Sequence, residues 1–263
     1  MFKKYSASRL FDGFRFHEPN TVLIVQEDGR IEAIVDAASA GSDVQHLTGI
    51  LTPGLINCHC HLELSHMINR IPQATGLPAF LLHVMQDRAH DIAEINHAMT
   101  LADEQMYQQG IVAVGDICNT THSIPVKSKS RIRYYNFVET MGVISEKADA
   151  RFQQALGVWE KFNEADATNF IGNSIVPHAP YSVSPALFER ISNFEKNKVV
   201  SIHSQESADE KEFLSLGTGA FLDFFLKSRT TPRRYARCNQ QIWRQKHPAH
   251  VEDTSIHTKH TCP

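Results

Sequence analysis

No apolar run in the sequence approaches the roughly 20 residues that cross a bilayer, so a transmembrane helix is not expected. The N-terminal residues 1–9 lack the apolar core of a secretory signal. Cysteine is scarce. There are five in 263 residues, and Cys58 and Cys60 are interleaved with histidines, which is not the spacing of a disulfide framework. A reducing, cytoplasmic compartment is therefore expected. Neither sign of charge dominates. A net charge of −3 gives no bulk attraction to nucleic acid or to an anionic membrane surface. What is present is 42% hydrophobic residues, enough for a core, in a chain long enough for one large α/β domain or a domain with a small companion.

The last 36 residues lack something else. Residues 228–263 contain no Gly and no Leu, and carry seven Lys/Arg against two Asp/Glu. The preceding helical pattern stops there without a cap or turn signal. This stretch reads as an atypical, disordered basic tail. A C-terminal truncation or a change of coding frame near Ser228 explains it better than a natural extension does.

The residues before it are organised. Residues 1–50 alternate β-rich runs with turns, and Asp28-Gly29 between two such runs is a hairpin signal, so a small β module is expected. From residue 51 the pattern becomes strand–helix alternation. Strands are expected at 51–58, 111–117, 132–139, 170–178 and 199–203, with helices at 77–109 in two segments, 148–163, 185–191 and 207–226. Short buried strands separated by helices argue for parallel pairing. The expected fold class is α/β, with residues 51–227 forming part of a (β/α)8 barrel of the TIM type.

Polar motifs stand where these strands end, which is where such barrels hold their active sites. The first is His59-Cys-His61. Side chains at i and i+2 share a face of a strand, so both imidazoles can address one metal ion. With 15 His in the chain, about one His-x-His pair arises by chance. The weight therefore comes from a second motif, His203-Ser-Gln-Glu206. Here His203 ends a strand and Glu206 follows in the turn, placed to exchange protons with water at a metal. Asp209, Glu210 and Glu212 already supply the acids that favour a helix start, so Glu206 is not needed for that. His178, between Pro177 and Pro180, is rigidly presented, as a metal ligand or as a donor to substrate. Glu63 extends the i, i+2 series from His59 and His61, and substrate contact suits it better than ligation. Asp116 fits a structural cap as well as a functional group.

Thr52-Pro-Gly-Leu-Ile-Asn-Cys-His-Cys-His-Leu-Glu-Leu-Ser, Pro177-His-Ala-Pro-Tyr-Ser-Val-Ser and His203-Ser-Gln-Glu occur in that order. Together they resemble the amidohydrolase superfamily, in its cytosine/guanine/S-adenosylhomocysteine deaminase and chlorohydrolase-like subgroup. The His-x-His-Leu-Glu variant is similar to aminofutalosine-type deaminases, and the resemblance covers residues 5–227. It implies a (β/α)8 barrel with one divalent metal ion, zinc first and iron second. By the same resemblance His59, His61 and His203 would be ligands, Glu206 the proton shuttle, and His178 a residue that orients the substrate. The implied reaction is hydrolysis of a non-peptide C–N bond, deaminating a purine-like ring such as an aminopurine nucleoside. Alternatives are another leaving group, chloride or an amide, or an inactive or partner-dependent fragment. The implied partner is a small-molecule substrate, with a homo-oligomer left open. The resemblance also calls for a His at a sixth strand and an Asp at an eighth, and neither has a counterpart after Ser228.

Overall fold

The computed structural model describes residues 2–227, so the expectation for the tail at 228–263 lies outside the described residues. The chain divides into two compact units between Leu55 and Ile56.

The first unit is a β module. Strands β1 (Phe2–Leu10), β2 (Thr21–Gln26), β3 (Ile31–Asp36) and β4 (Val44–Leu51) form one sheet in the order β3-β2-β1-β4. The β2–β3 pair is the antiparallel hairpin that turns at Asp28-Gly29, and β1 also pairs antiparallel with β2. A one-turn helix, α1 (Ala37–Ala40), lets β4 return parallel to β1. The Asp36 side chain accepts from Ser39 N, satisfying one of the donors a helix start leaves open.

In the second unit, β5 (Leu55–Cys60), β6 (Ile111–Cys118), β7 (Arg133–Thr140) and β8 (Phe170–Pro177) lie side by side in chain order. The β6–β7 and β7–β8 pairs are parallel. Helices fill the connections. α2 (Leu77–Asp87) and α3 (Ile92–Gln108) precede β6, α4 (Ile124–Lys127) precedes β7, and α5 (Ala148–Glu164) precedes β8. After β8 come α6 (Pro185–Ser192), α7 (Ala208–Leu216) and α8 (Ala220–Lys227). Ser184 caps α6 through Leu187 N, with Pro185 in its first turn. No helix among the described residues is long and apolar enough to cross a membrane.

Alternation in the strands separates two faces. On one, Val114 and Tyr134 pack against Ile95 and Met99 of α3, while Cys118, Val138 and Ile175 pack against Ala155, Trp159 and Phe162 of α5. The α5 residues recur at helical spacing, so a single stripe is buried. On the other face Ile117, Phe137 and Val176 form an apolar layer with Tyr135. Gly115 allows β5 to lie close, since a Cβ there would stand 2.7 Å from the Cys58 carbonyl oxygen and 2.9 Å from the Phe137 ring.

Two elements differ from expectation. Residues 199–203 are not a strand. The Asn197 side chain occupies the edge of β8 at Ile175, accepting from its N–H and donating to its carbonyl, both at 2.8 Å. The extended chain that follows bonds β8's end only through His203 N to the His178 carbonyl at 2.8 Å. The helix expected over 207–226 is two helices. Gly217, in the left-handed region at φ 70, ends α7, a conformation that costs a residue without a Cβ little.

Candidate metal centre and active site

The β5 strand ends at Cys60, and His59 and His61 stand at its end with Nε2 atoms 3.2 Å apart. The backbone beyond is pinned. Asp116 Oδ1 accepts Leu62 N at 2.8 Å, and Asp116 Oδ2 lies 2.6 Å from Lys127 Nζ. Both Asp116 and Lys127 are fully buried, on the helix-facing side of the sheet. Asp116 thus ties down the histidine strand from behind. Burial works against a charged Lys127, but Asp116 and Cys118 outweigh it and hold the ammonium well above its ordinary range.

His203 approaches from the extended segment. Its ring centroid is 4.6 Å from that of His59 and 5.2 Å from that of His61. One ligand atom from each of His59, His61 and His203 lies within 4.8 Å of the others. Three imidazoles so close form a donor set that suits a divalent transition metal. Their electrostatics are consistent with this. Burial pushes His61 down to about 4, and burial followed by the charge of His203 lowers His59, so both are neutral and able to donate at neutral pH. His203 behaves differently. Burial disfavours its charge, but the neighbouring carboxylates of Glu139 and Glu206 raise it to about 9.

Glu206 lies in the turn before α7, with Oε1 3.1 Å from His203 Nδ1, and that contact holds it below the ordinary carboxylate value. Gln205, at φ 60, bends the turn. The buried Glu210 carboxylate fastens it by accepting Glu206 N at 2.7 Å. His178 follows β8, with Nδ1 2.6 Å from Ser182 Oγ and its ring 5.0 Å from that of His203. Burial lowers its proton affinity too.

Glu63 does not join this group. The strand stops before it, and residues Leu62–Met67 form a 3-10 turn. Its buried carboxylate accepts from Asn119 N at 3.1 Å, Thr120 N at 3.2 Å and Thr120 Oγ1 at 2.9 Å, so it anchors the loop after β6. Two site residues were not singled out from sequence. Glu139, near the end of β7, lies 3.3 Å from His203 Nε2, and Asn119 donates to it at 3.0 Å. The rule that found the histidines, a polar residue at the C-terminal end of a buried strand, applies to Glu139 as well.

Residues 50–232 match the sequence model of the amidohydrolase family. An aminodeoxyfutalosine deaminase from a Nitratiruptor species is 25% identical over 258 residues, which cover 92% of this chain and 63% of that protein. A 5-methylthioadenosine/S-adenosylhomocysteine deaminase from Halobacterium salinarum is 24% identical, over 73% of this chain and 45% of its own length. The chain thus spans between about half and two thirds of the length of these relatives. The crystal structure of Helicobacter pylori aminofutalosine deaminase superposes with a TM-score of 0.71 at 20% identity, over 88% of this chain and 56% of that one. The likeness shows a shared fold, and the parallel sheet with its N-terminal β module belongs to the TIM-barrel type. With more than half of its residues inside the family match, this chain belongs to the amidohydrolase family.

Proposed function

We propose that this chain carries the metal-binding part of a hydrolase that cleaves non-peptide C–N bonds, and that its substrate is a small molecule with an aminopurine-like ring. The convergence of His59, His61 and His203, with Glu206 one hydrogen bond from His203, carries this reading. The named activities of the relatives, deaminases of purine-containing compounds, support it. In this reading residues 1–50 are a β module and residues 51–227 a part of the catalytic barrel, working in the cytoplasm.

The three histidines would hold one divalent ion, zinc before iron. When bound, that ion supplies Lewis acidity that makes water a nucleophile near neutral pH. The chain's own groups do the rest. Glu206, ionised and at the rim of the histidine group, takes a proton from the attacking water and delivers it to a ring nitrogen of the substrate. Water's oxygen adds to the carbon bearing the amino group, the proton left on that oxygen passes through Glu206 to the amino nitrogen, and the C–N bond breaks as the C=O bond forms, so that ammonia leaves. His178, neutral and held by Ser182, donates a hydrogen bond to orient the ring. Glu63 enters as the anchor of the loop after β6, not as a substrate contact.

Ammonia release from a panel of aminopurine nucleosides tests this. It is measured for the chain alone and for the chain joined to the remaining segment of a relative. Glu206→Gln should abolish turnover in the active form while leaving the metal bound. Undiminished turnover in that variant would sink the assignment of Glu206.

A further inference from the structure

We propose that Glu139 is the positioning residue for His203, its buried carboxylate orienting the imidazole that completes the three-histidine group. The inference rests on the metal-centre reading above and adds a residue to it.

Glu139 shares a face of β7 with Tyr135 and Phe137, because side chains two apart point the same way. Phe137 belongs to the apolar layer it makes with Ile117 and Val176. Glu139 therefore stands one layer nearer the strand ends. That layer also receives Asn119, two residues past Ile117, and His178, two past Val176. Glu139 is only 7% exposed, and a buried carboxylate is costly unless its oxygens are used. One is used, since Oε2 accepts from Asn119 Nδ2 at 3.0 Å. The other, Oε1, makes no hydrogen bond, and neither does His203 Nε2, which it faces at 3.3 Å. A small rotation of the ring converts that contact into an N–H···O bond.

His203 needs such a partner because its backbone is weakly fixed. Residues 199–202 lie outside the sheet, and the bond from His203 N to the His178 carbonyl is the link at its end. Glu139 by contrast sits on a strand paired on both sides. A carboxylate on one nitrogen of a ligand histidine settles which nitrogen carries the proton and leaves the other for the ion, here Nδ1, whose 3.1 Å contact with Glu206 Oε1 the ion would replace. Glu63 holds Asn119 N, Asn119 holds Glu139, and Glu139 faces His203, so the turn after β5 and the ends of β6 and β7 together fix the ring.

The test is Zn²⁺ affinity of the 263-residue chain, measured by competition with a chromophoric chelator, for the parent, Glu139→Gln, Glu139→Asp and His61→Ala. Losing the carboxylate partner of a ligand histidine costs about 10–100-fold in metal affinity, and Glu139→Gln should fall in that range with its far-UV circular dichroism unchanged. Glu139→Asp keeps the charge and should recover part of the loss, which a role in packing alone would not give. At saturating Co²⁺, Glu139→Gln should keep the parent's visible spectrum, because the ligands are unchanged. A Glu139→Gln affinity within twofold of the parent overturns the proposal, as does a changed Co²⁺ spectrum, which would make Glu139 a ligand. If Glu139→Gln does not fold, the decision falls to Glu139→Asp, where parental affinity overturns the proposal and a partial loss supports it. His61→Ala separates the two readings. If it binds Zn²⁺ as the parent does, the metal centre itself is wrong. If it loses Zn²⁺ while Glu139→Gln does not, only the role of Glu139 falls.

Discussion

The histidines of the site do not share one protonation state. His61, pushed down to about 4 by burial, is neutral at pH 7.5, whereas His203, raised to about 9 by Glu139 and Glu206 against the effect of burial, carries a proton there. A metal takes a neutral imidazole, so binding must displace that proton. Calorimetry in buffers of different ionisation enthalpy should record about one proton released per Zn²⁺ at pH 7.5. Affinity should climb with pH toward 9 and then level. Release of no proton would remove His203 from the ligand set. The same shift acts on the metal-free fold. A raised histidine stabilises the folded state fully below its ordinary value near 6.5, and that contribution is lost as pH rises through about 9. Urea midpoints of metal-free protein should therefore decline across that interval, and Glu139→Gln should flatten the decline.

At the level of elements, the site depends on anchors behind the strands. Lys127 and Asp116 are fully buried at 2.6 Å, and Asp116 also accepts the N–H that follows His61. Removing one member of a buried pair leaves the other charge uncompensated, at a cost of about 3–5 kcal/mol. Lys127→Met should lower the unfolding free energy by that order in urea denaturation. A change below about 1 kcal/mol would mean that the pair holds nothing together. Glu63 tests the loop after β6. Glu63→Ala leaves the part-buried N–H donors of Asn119 and Thr120 without their acceptor, for an expected loss of about 1 kcal/mol, read from the same denaturation curves.

For the molecule as a whole, the described parallel sheet is open, with β5 and β8 as its outer strands. Apolar residues near those edges are exposed, among them Ile56 at 66%, Val200 at 62% and Val199 at 51%. Unpaired edges and contiguous apolar surface invite association. The 263-residue chain should bind the dye ANS and show concentration-dependent association in sedimentation velocity. Charged substitutions at Ile56 and Val200 should reduce both. Monodisperse behaviour at high concentration without dye binding would show that this surface is covered.

Much of this was readable from the sequence because it is encoded locally. The His-x-His spacing works through the two-residue repeat of a strand, the Ser184-Pro185 start of α6 through capping, and the four strands β5–β8 through short apolar runs between helices. Glu206 could be separated from the helix that follows it because other acids already filled that helix's first turn. Pairing over long separations decided the remainder. Whether residues 199–203 join the sheet depends on Asn197 occupying the edge of β8, and the destination of the Glu63 carboxylate depends on where β5 stops and on loop donors 56 and 57 residues away. Lys127 and Glu139 were not singled out from the sequence, and the feature that sets them apart, burial beside Asp116 and His203, comes from the fold. Sequence periodicity assigns a side chain to a face, but only tertiary packing selects the partner it meets there, because that partner comes from a distant part of the chain.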